Sequence, residues 1–149
     1  MKLSEWANKH KELHFVVKGN PITKKNSSRI IKNKNRMMII PSKQYKDYEK
    51  NFIQECIASG FWNRHINTPY NFEYHYYMET KRKVDLTNLI SATDDCLQAA
   101  GVIDDDDCTI VHSHDGCRVF YDKENPRTEI FISDINEDEI IFPNVAEDI

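Results

Sequence analysis

The strongest constraint on the fold is a strand pattern followed directly by a helix pattern between residues 72 and 101. Aromatic and apolar side chains alternate with other side chains from Phe72 to Met78, which is the period-two pattern of a half-buried strand. From Val84 to Gly101 the spacing becomes that of an amphipathic helix with a wide apolar face. Because a sheet face and a helix stripe of this kind bury each other, these residues predict an α+β domain.

The remaining patterns complete this arrangement. Ser42 is a good N-cap, and apolar residues recur after it at helical spacing, so residues 43–59 predict a second amphipathic helix. Residues 30–40 predict a β-hairpin with a basic tip. The order βββαβαβββ indicates a small mixed β-sheet with two main helices, mostly on one face. The shorter strands are expected at residues 14–19, 109–114, 118–121 and 128–133.

The composition fits one folded domain. The chain has 149 residues with 40% hydrophobic content, which excludes a wholly disordered protein, and no apolar run approaches the roughly 20 residues of a membrane span. Charges stand where a signal peptide would be apolar, so we expect a cytoplasmic protein. Four cysteines without a CxxC pair favour reduced thiols over a disulfide or zinc framework. We assign the folded domain to residues 1–133 and an acidic C-terminal tail to residues 134–149.

The formal net charge of −4 hides a strong segregation of charge along the chain. Residues 1–84 hold 17 Lys and Arg against 7 Asp and Glu, whereas residues 85–149 hold 3 against 17. A basic surface suits a polyanion, and concentrated carboxylates suit divalent cations. The same numbers also fit two halves that pair with each other, in the fold or across a dimer, so both interpretations stay open.

Three charged groups lie close together in the sequence. The basic triplet of residues 81–83 precedes Asp85 at the start of the second helix, and four aspartates at residues 104–107 follow its end. A helix of about 14 residues spans about 21 Å, so Asp85 and Asp106 meet only if the chain doubles back after Gly101. Neighbouring carboxylates are costly unless a cation lies between them, and Mg²⁺ needs only a few. The plainer alternative is a solvated acidic turn and a helix-capping Asp85.

Several separated motifs resemble those of the RusA-type Holliday junction resolvases, an endodeoxyribonuclease family. Residues 19–25, GNPITKK, are similar to its amino-terminal G-x-P-x-x-K signature. Residues 83–89, KVDLTNL, are similar to its Asp-x-Asp-Asn-Leu motif, and the resemblance extends over about residues 14–133. Further matches are a mid-helix Asp-x-Leu at 95–97, Gly-Val at 101–102, paired aspartates at 105–106 and a closing segment at 126–130.

The resemblance implies a RusA-like fold in an intertwined homodimer and a Mg²⁺-dependent hydrolase of DNA recombination and repair. Two symmetric sites would cut a four-way junction by paired nicks. Asp85 corresponds to the family's first catalytic aspartate, and Asp106, with Asp105 beside it, to the paired aspartates. We therefore expect these three residues to bind Mg²⁺, with Mn²⁺ as an alternative ion, and Lys83 to position the phosphate. The resemblance also implies a bacterial or phage-encoded protein.

The chain departs from the family pattern at two positions. The second aspartate of the opening motif is Thr87, a poor Mg²⁺ ligand, and the lysine expected four residues later is Ser91. Asp94 and Asp95 lie two turns below Thr87, roughly 10–12 Å along the helix, so we expect that neither replaces it. The outer aspartates of the 104–107 turn would do so more easily.

DNA contacts are expected from the basic loop, the hairpin and the basic triplet, and phosphate contacts of this kind weaken with salt. Phe72, Tyr74 and Tyr76 could stack on unpaired bases, but strand aromatics at period two are more often core or dimer interface. His112 and His114 share a strand face without a third ligand, which favours surface or packed histidines over a zinc site. The predicted DNA-contacting residues are Lys24, Lys25, Arg29, Lys32, Lys34, Arg36, Lys81 and Arg82.

Three functions remain open at this point. The leading hypothesis is a dimeric endonuclease that resolves four-way junctions. The second is a degenerate RusA-like protein that binds branched DNA without cutting it, because Thr87 and Ser91 weaken both metal binding and phosphate stabilisation. The third is a structural acidic protein whose basic half pairs only with its own tail.

Overall fold

A computed structural model gives the fold, in which seven strands and two helices follow the predicted order within the described residues. These described residues are 12–24, 29–33, 36–40 and 42–136. Residues 1–11 of the predicted domain and most of the predicted tail, residues 137–149, lie outside them. The helices are α1 (Lys43–Ser59) and α2 (Leu86–Ala99). The strands are β1 (Leu13–Lys18), β2 (Arg29–Asn33), β3 (Arg36–Ile40), β4 (Tyr70–Met78), β5 (Val111–Ser113), β6 (Arg118–Tyr121) and β7 (Arg127–Ser133).

The main sheet is small and mixed, as predicted. Strand β1 pairs antiparallel with β7, and β7 pairs antiparallel with β4. On its other side β4 pairs in parallel with β5 near its start and with β6 near its end. Strands β2 and β3 form a separate antiparallel hairpin. Neither helix in the described ranges is long and apolar enough to cross a membrane.

Both helices cover one face of this sheet. Every second side chain in the middle of β4 is buried against them, and Phe72, Tyr74 and Tyr76 are at most 1% exposed. The hydroxyl of Tyr76 lies 2.7 Å from Oγ1 of Thr93 on α2, so the buried ring keeps a hydrogen-bond partner. The prediction that these strand aromatics belong to the core is confirmed, and they are not available to stack on bases.

Helix α1 begins and ends where its capping residues predict. The hydroxyl of Ser42 accepts the backbone N–H of Tyr45 at 3.2 Å, and Gly60 ends the helix at φ +80°. Cys56 and Cys96 are fully buried between the helices and the sheet. Burial raises the pKa of both thiols to about 12, so they stay protonated. All four cysteines are free.

Helix α2 ends at a tight turn that only glycine fits. Gly101 has φ +66°, and a Cβ at this position would clash with the side chain of Asn63. After the turn, Val102 and Ile103 are buried in the core. The chain then passes through the acidic turn before it enters β5.

Candidate metal centre and nucleic-acid interface

Asp85 lies at the N-terminus of α2, where its side chain caps the helix. Its Oδ1 accepts the backbone N–H groups of Thr87 at 2.9 Å and Asn88 at 3.3 Å. The residue is exposed, and capping fixes the carboxylate at the end of the helix. Because an ionised carboxylate offers about four lone-pair sites, a capping aspartate can still bind a cation through its other oxygen.

The basic triplet of residues 81–83 joins β4 to Asp85, and all three side chains are exposed. Lys81 Nζ lies 5.0 Å from the centre of the Tyr121 ring at the end of β6. The N-terminus of a helix adds positive potential from its free N–H groups. This end of the domain therefore carries positive potential.

The acidic turn is positioned by the segment that follows α1, residues 61–66, which we call the strap. Three of its backbone N–H groups donate to the carbonyls of residues 100–102 at 2.9–3.0 Å, and the N–H of Asp104 donates back to the strap at 3.1 Å. Asn63 and His65 adopt φ values of 55° and 53°, which are uncommon for residues other than glycine. The strap therefore holds the backbone of the turn against the end of α2.

The two outer aspartates of the turn bind neighbouring groups. Oδ1 of Asp104 lies 2.8 Å from Nδ1 of His65 in the strap. Asp107 accepts both the hydroxyl and, at 2.8 Å, the N–H of Thr109, and these hydrogen bonds lower the pKa of its carboxyl. Both side chains stabilise the turn, so their hydrogen bonds give no support to the prediction that one of them replaces the ligand missing at Thr87.

The two inner aspartates form a carboxylate pair. The N–H of Asp106 donates to Oδ1 of Asp105 at 2.7 Å. The pKa of Asp106 is raised, first by partial loss of hydration, then by a hydrogen bond to Asp105 and by the charge of Asp95. A carboxylate among other carboxylates binds a proton or a cation more readily. Since Mg²⁺ uses one or two protein carboxylates and keeps several waters, this pair fits such an ion.

Asp95 is a neighbour of this pair that sequence reasoning set aside as a replacement ligand. Burial raises the pKa of its carboxyl, the charge of Lys24 lowers it, and Asp94 raises it further. Lys24 belongs to the G-x-P-x-x-K signature, and its Nζ lies 5.9 Å from the centre of the Tyr45 ring. The loop that carries this signature thus places Lys24 near Asp95 on α2. The mid-helix Asp-x-Leu motif was the only sequence signal for Asp95.

Asp85 and the acidic turn belong to opposite ends of α2 within one chain. The helix has 14 residues and is about 21 Å long. Strand β4 runs beside it and begins near the acidic turn, where the N–H of Tyr70 donates to the Ile110 carbonyl at 2.9 Å. In the described part of the chain, no three His, Cys, Asp or Glu side chains are grouped so that they could hold a metal ion. One chain therefore presents two partial sites, the capping Asp85 and the Asp105–Asp106 pair.

An ion pair ties the second half of α2 to the sheet. Nε2 of His114 lies 3.0 Å from Asp94, its Nδ1 lies 2.7 Å from the Phe72 carbonyl oxygen, and Tyr74 donates its hydroxyl to Asp94 at 2.6 Å. Both ring nitrogens face oxygen acceptors, which suits the imidazolium. Burial opposes this charge, but hydrogen bonds to Asp94 and Cys117 outweigh it and raise the pKa of His114 to about 10. The packed histidine agrees with the sequence prediction, which did not identify its partner.

Half of the predicted DNA-contacting residues have described side chains, and all of these are exposed. They are Lys24, Arg36, Lys81 and Arg82. The others lie outside the description, either whole (Lys25 and Lys34) or in their side chains (Arg29 and Lys32).

An α+β domain that presents paired carboxylates and exposed lysines and arginines has the arrangement typical of enzymes that process nucleic acids. Comparison with protein families narrows this class. The model of the family endodeoxyribonuclease RusA matches residues 18–133. The chain therefore belongs to the RusA endodeoxyribonuclease family of Holliday junction resolvases, whose members bind branched DNA. No individual curated protein matches the chain.

Proposed function

We propose that this protein is a divalent-metal-dependent endonuclease that resolves four-way DNA junctions by paired symmetric nicks and acts as a homodimer. The observation that carries the proposal is the Asp105–Asp106 pair, in which partial loss of hydration and then the neighbouring carboxylates raise the pKa of Asp106. Mg²⁺ is the ion that fits two carboxylates and retained water, with Mn²⁺ as the alternative.

Asp85, Asp105 and Asp106 would hold the ion, because oxygen ligands are those that Mg²⁺ prefers. A bound ion of this kind supplies an activated water and stabilises charge on the scissile phosphate. Lys83 and its neighbours in the basic triplet would hold the DNA backbone by charge, helped by the N-terminus of α2. Thr87 donates its backbone N–H to Asp85 and so orients the ligand without binding the ion itself.

A dimer offers a way to complete the metal centre from two partial sites. Asp85 of one protomer would approach Asp106 of the partner subunit. Two-fold symmetry would bring the other Asp85 and Asp106 together in a second, equivalent site. Two equivalent sites match the two strands that a junction resolvase cuts.

The sharpest test mixes two inactive variants. Asp85→Asn and Asp106→Asn are each expected to lower cleavage of a synthetic four-way junction about 100-fold, because each removes a carboxylate that would hold the metal ion. If the sites are shared, mixed dimers contain one intact site and nick one strand. A mixture that exchanges subunits, yet stays as inactive as its components, contradicts a shared site.

A second pair of variants separates the capping role of Asp85 from metal binding. Asp85→Ser keeps an N-cap oxygen but loses the carboxylate, so its Tm should stay near that of the wild type while cleavage is lost. Asp85→Ala loses the cap as well and should cost about 1 kcal/mol of the free energy of unfolding. Retained cleavage in Asp85→Ser would rule out the metal role of Asp85.

Thr87 and Ser91 favour a second candidate, a RusA-like protein that binds branched DNA without cutting it. Salt-sensitive binding to a four-way junction, with no nicking in Mg²⁺ or Mn²⁺, would support this function. Cleavage that increases in Thr87→Asp would identify residue 87 as the cause of weak activity. No binding at low salt would instead favour a structural acidic protein.

A further inference from the structure

The sheet carries aromatic side chains on both faces, and the helices cover only one of them. Residues that alternate with the buried ones point to the other side: His14 on β1, Phe131 on β7, His75 and Tyr77 on β4, and Phe120 on β6. We call these five side chains the aromatic face. They are half-buried or exposed, whereas the helix-side residues that alternate with them on β4 and β7, such as Tyr76 and Ile130, are buried.

The five rings contact one another in a continuous row across four strands. His14 stacks on Phe131 with centroids 4.4 Å apart, and Phe131 lies 4.9 Å from His75. His75 lies 5.7 Å from Phe120, which stacks on Tyr77 at 5.0 Å and 20°. These separations are those of packed aromatic pairs, so the row is a preformed surface.

Cations lie against the edge of this row. Strand β6 is exposed along its length, with Phe120 39% and Tyr121 47% exposed. The guanidinium carbon of Arg127 lies 3.7 Å from the centre of the Tyr77 ring, and Lys81 lies over the Tyr121 ring. Each cation therefore lies against an aromatic ring at this edge of the sheet.

The acidic side chains of the same face are already paired. Glu73 lies 2.7 Å from His75, and Glu129 lies 3.6 Å from Arg127. Arg118, which is opposite His75 in the register, adds an exposed cation. A protein partner would have to bury the charges of Glu73, Glu129 and Arg127 away from water, which is costly. A nucleic-acid strand can contact the rings with its bases while the charges and phosphates stay hydrated.

We propose that the aromatic face stacks unpaired nucleotides at the branch point of DNA, an inference that rests on the proposed function in junction processing. Aromatic platforms beside cations bind single strands without sequence preference, because every base has a flat face. The location fits this role. Strand β6 ends at Tyr121, opposite Met78, and from Met78 the chain leads through the basic triplet to Asp85.

The test uses the full-length protein without divalent metal, so that cleavage plays no part. The probe is a four-way junction with unpaired 2-aminopurine nucleotides at the branch point, whose fluorescence falls when the base stacks on a ring. We expect Phe120→Leu to lose this quenching and to bind the probe about tenfold more weakly, as for the loss of one base–ring contact. Phe120→Trp should retain both, and Ile57→Ala, which alters an exposed apolar residue on α1, should change neither.

Three results would overturn the inference. The first is unchanged quenching in Phe120→Leu, and the second is that this variant binds the probe and a fully paired duplex equally more weakly. The third is a lower molecular mass of Phe120→Leu than of the wild type in light scattering. The last result would assign the face to contacts between copies of the chain. His14→Leu, at the opposite edge of the row, provides a second variant should Phe120→Leu fail to fold. Absence of cutting in Mg²⁺ would contradict the proposed function alone, because quenching and affinity are measured without metal.

Discussion

The two ends of α2 differ in charge, in packing and in the structural roles of their residues. At the N-terminal end, Asp85 caps the helix beside three exposed cations, residues 81–83. At the C-terminal end, four aspartates follow a glycine turn that the strap fixes by backbone hydrogen bonds. The comparison teaches that one chain keeps Asp85 and the basic triplet apart from the Asp105–Asp106 pair, although the proposed hydrolysis needs them together. In the proposed function, a second protomer and the DNA bring them together.

The aspartates of the two ends also differ from one another in what they contribute to folding. Asp85, Asp104 and Asp107 accept hydrogen bonds that shape the chain, whereas folding raises the pKa of Asp106 and so works against its charge. A residue whose charge lowers the stability of the fold is expected to have a role in function. The following predictions test this contrast.

The largest effect is expected for Asp106→Asn, which should lower cleavage about 100-fold without lowering stability. Because folding raises the pKa of this carboxyl, the folded state disfavours its charge, and removing the charge leaves stability unchanged or higher. Junction cleavage in Mg²⁺ and urea unfolding at pH 7 measure the two quantities.

The matched control for Asp106→Asn is Asp104→Asn, which alters the neighbouring turn acid that contacts His65. It should keep cleavage within a few-fold of the wild type. Equal losses in both variants would mean that the turn acts only through its total charge.

The next effect concerns the ion pair between Asp94 and His114. Asp94→Asn should cost about 2–3 kcal/mol in urea unfolding, because it leaves a largely buried imidazolium without its counter-charge. The sign of the pH dependence follows from the raised pKa of His114. The stabilisation is complete below the unfolded pKa of about 6.5 and is lost as the pH rises through about 10.

His114→Gln removes the titrating ring and serves as the matched variant. Between pH 7 and pH 10 the wild type should lose more stability than His114→Gln. Parallel curves for the two proteins over this range would exclude a charged His114.

A smaller effect is expected at the basic end, where Lys83→Gln should weaken junction binding about three- to five-fold at moderate salt. Loss of one phosphate contact should also reduce the slope of log affinity against log salt by about 1. Lys50→Gln, an exposed lysine on α1, is the control and should leave the slope unchanged. Equal slopes in both variants would place Lys83 outside the DNA contact.

The smallest effect is expected for His65→Gln in the strap. The side chains of His65 and Asp104 are 61% and 44% exposed, and ion pairs this exposed contribute less than about 0.5 kcal/mol. Thermal melting should therefore change very little. A loss above about 1 kcal/mol would show that the side-chain contact, rather than the backbone bonds of the strap, positions the acidic turn.

Much of the local structure was predictable, because periodicity and capping are properties of neighbouring residues. The range of α1, the N-cap at Ser42, the strand order along the chain and the buried alternation in β4 all follow from the sequence. The family motifs also identified Asp85, Asp105 and Asp106 as site candidates, and their binding of an ion stays a prediction.

Contacts between residues far apart in the chain could not be predicted, because no local sequence pattern indicates them. Asp94 meets His114 across 20 residues, and the strap meets the end of α2 across more than 30, through backbone groups that every residue carries. The order of strands in the sheet also decides which side of β4 faces the helices and which side carries the aromatic face.

The sequence by itself determined which elements form, how the helices are capped and which family motifs the chain carries, because each depends on residues a few positions apart. Only the tertiary structure decided that Asp85 and the acidic turn lie at opposite ends of α2. Their separation depends on the direction in which β4, α2 and β5 run through the domain. That direction is set by packing the whole core at once.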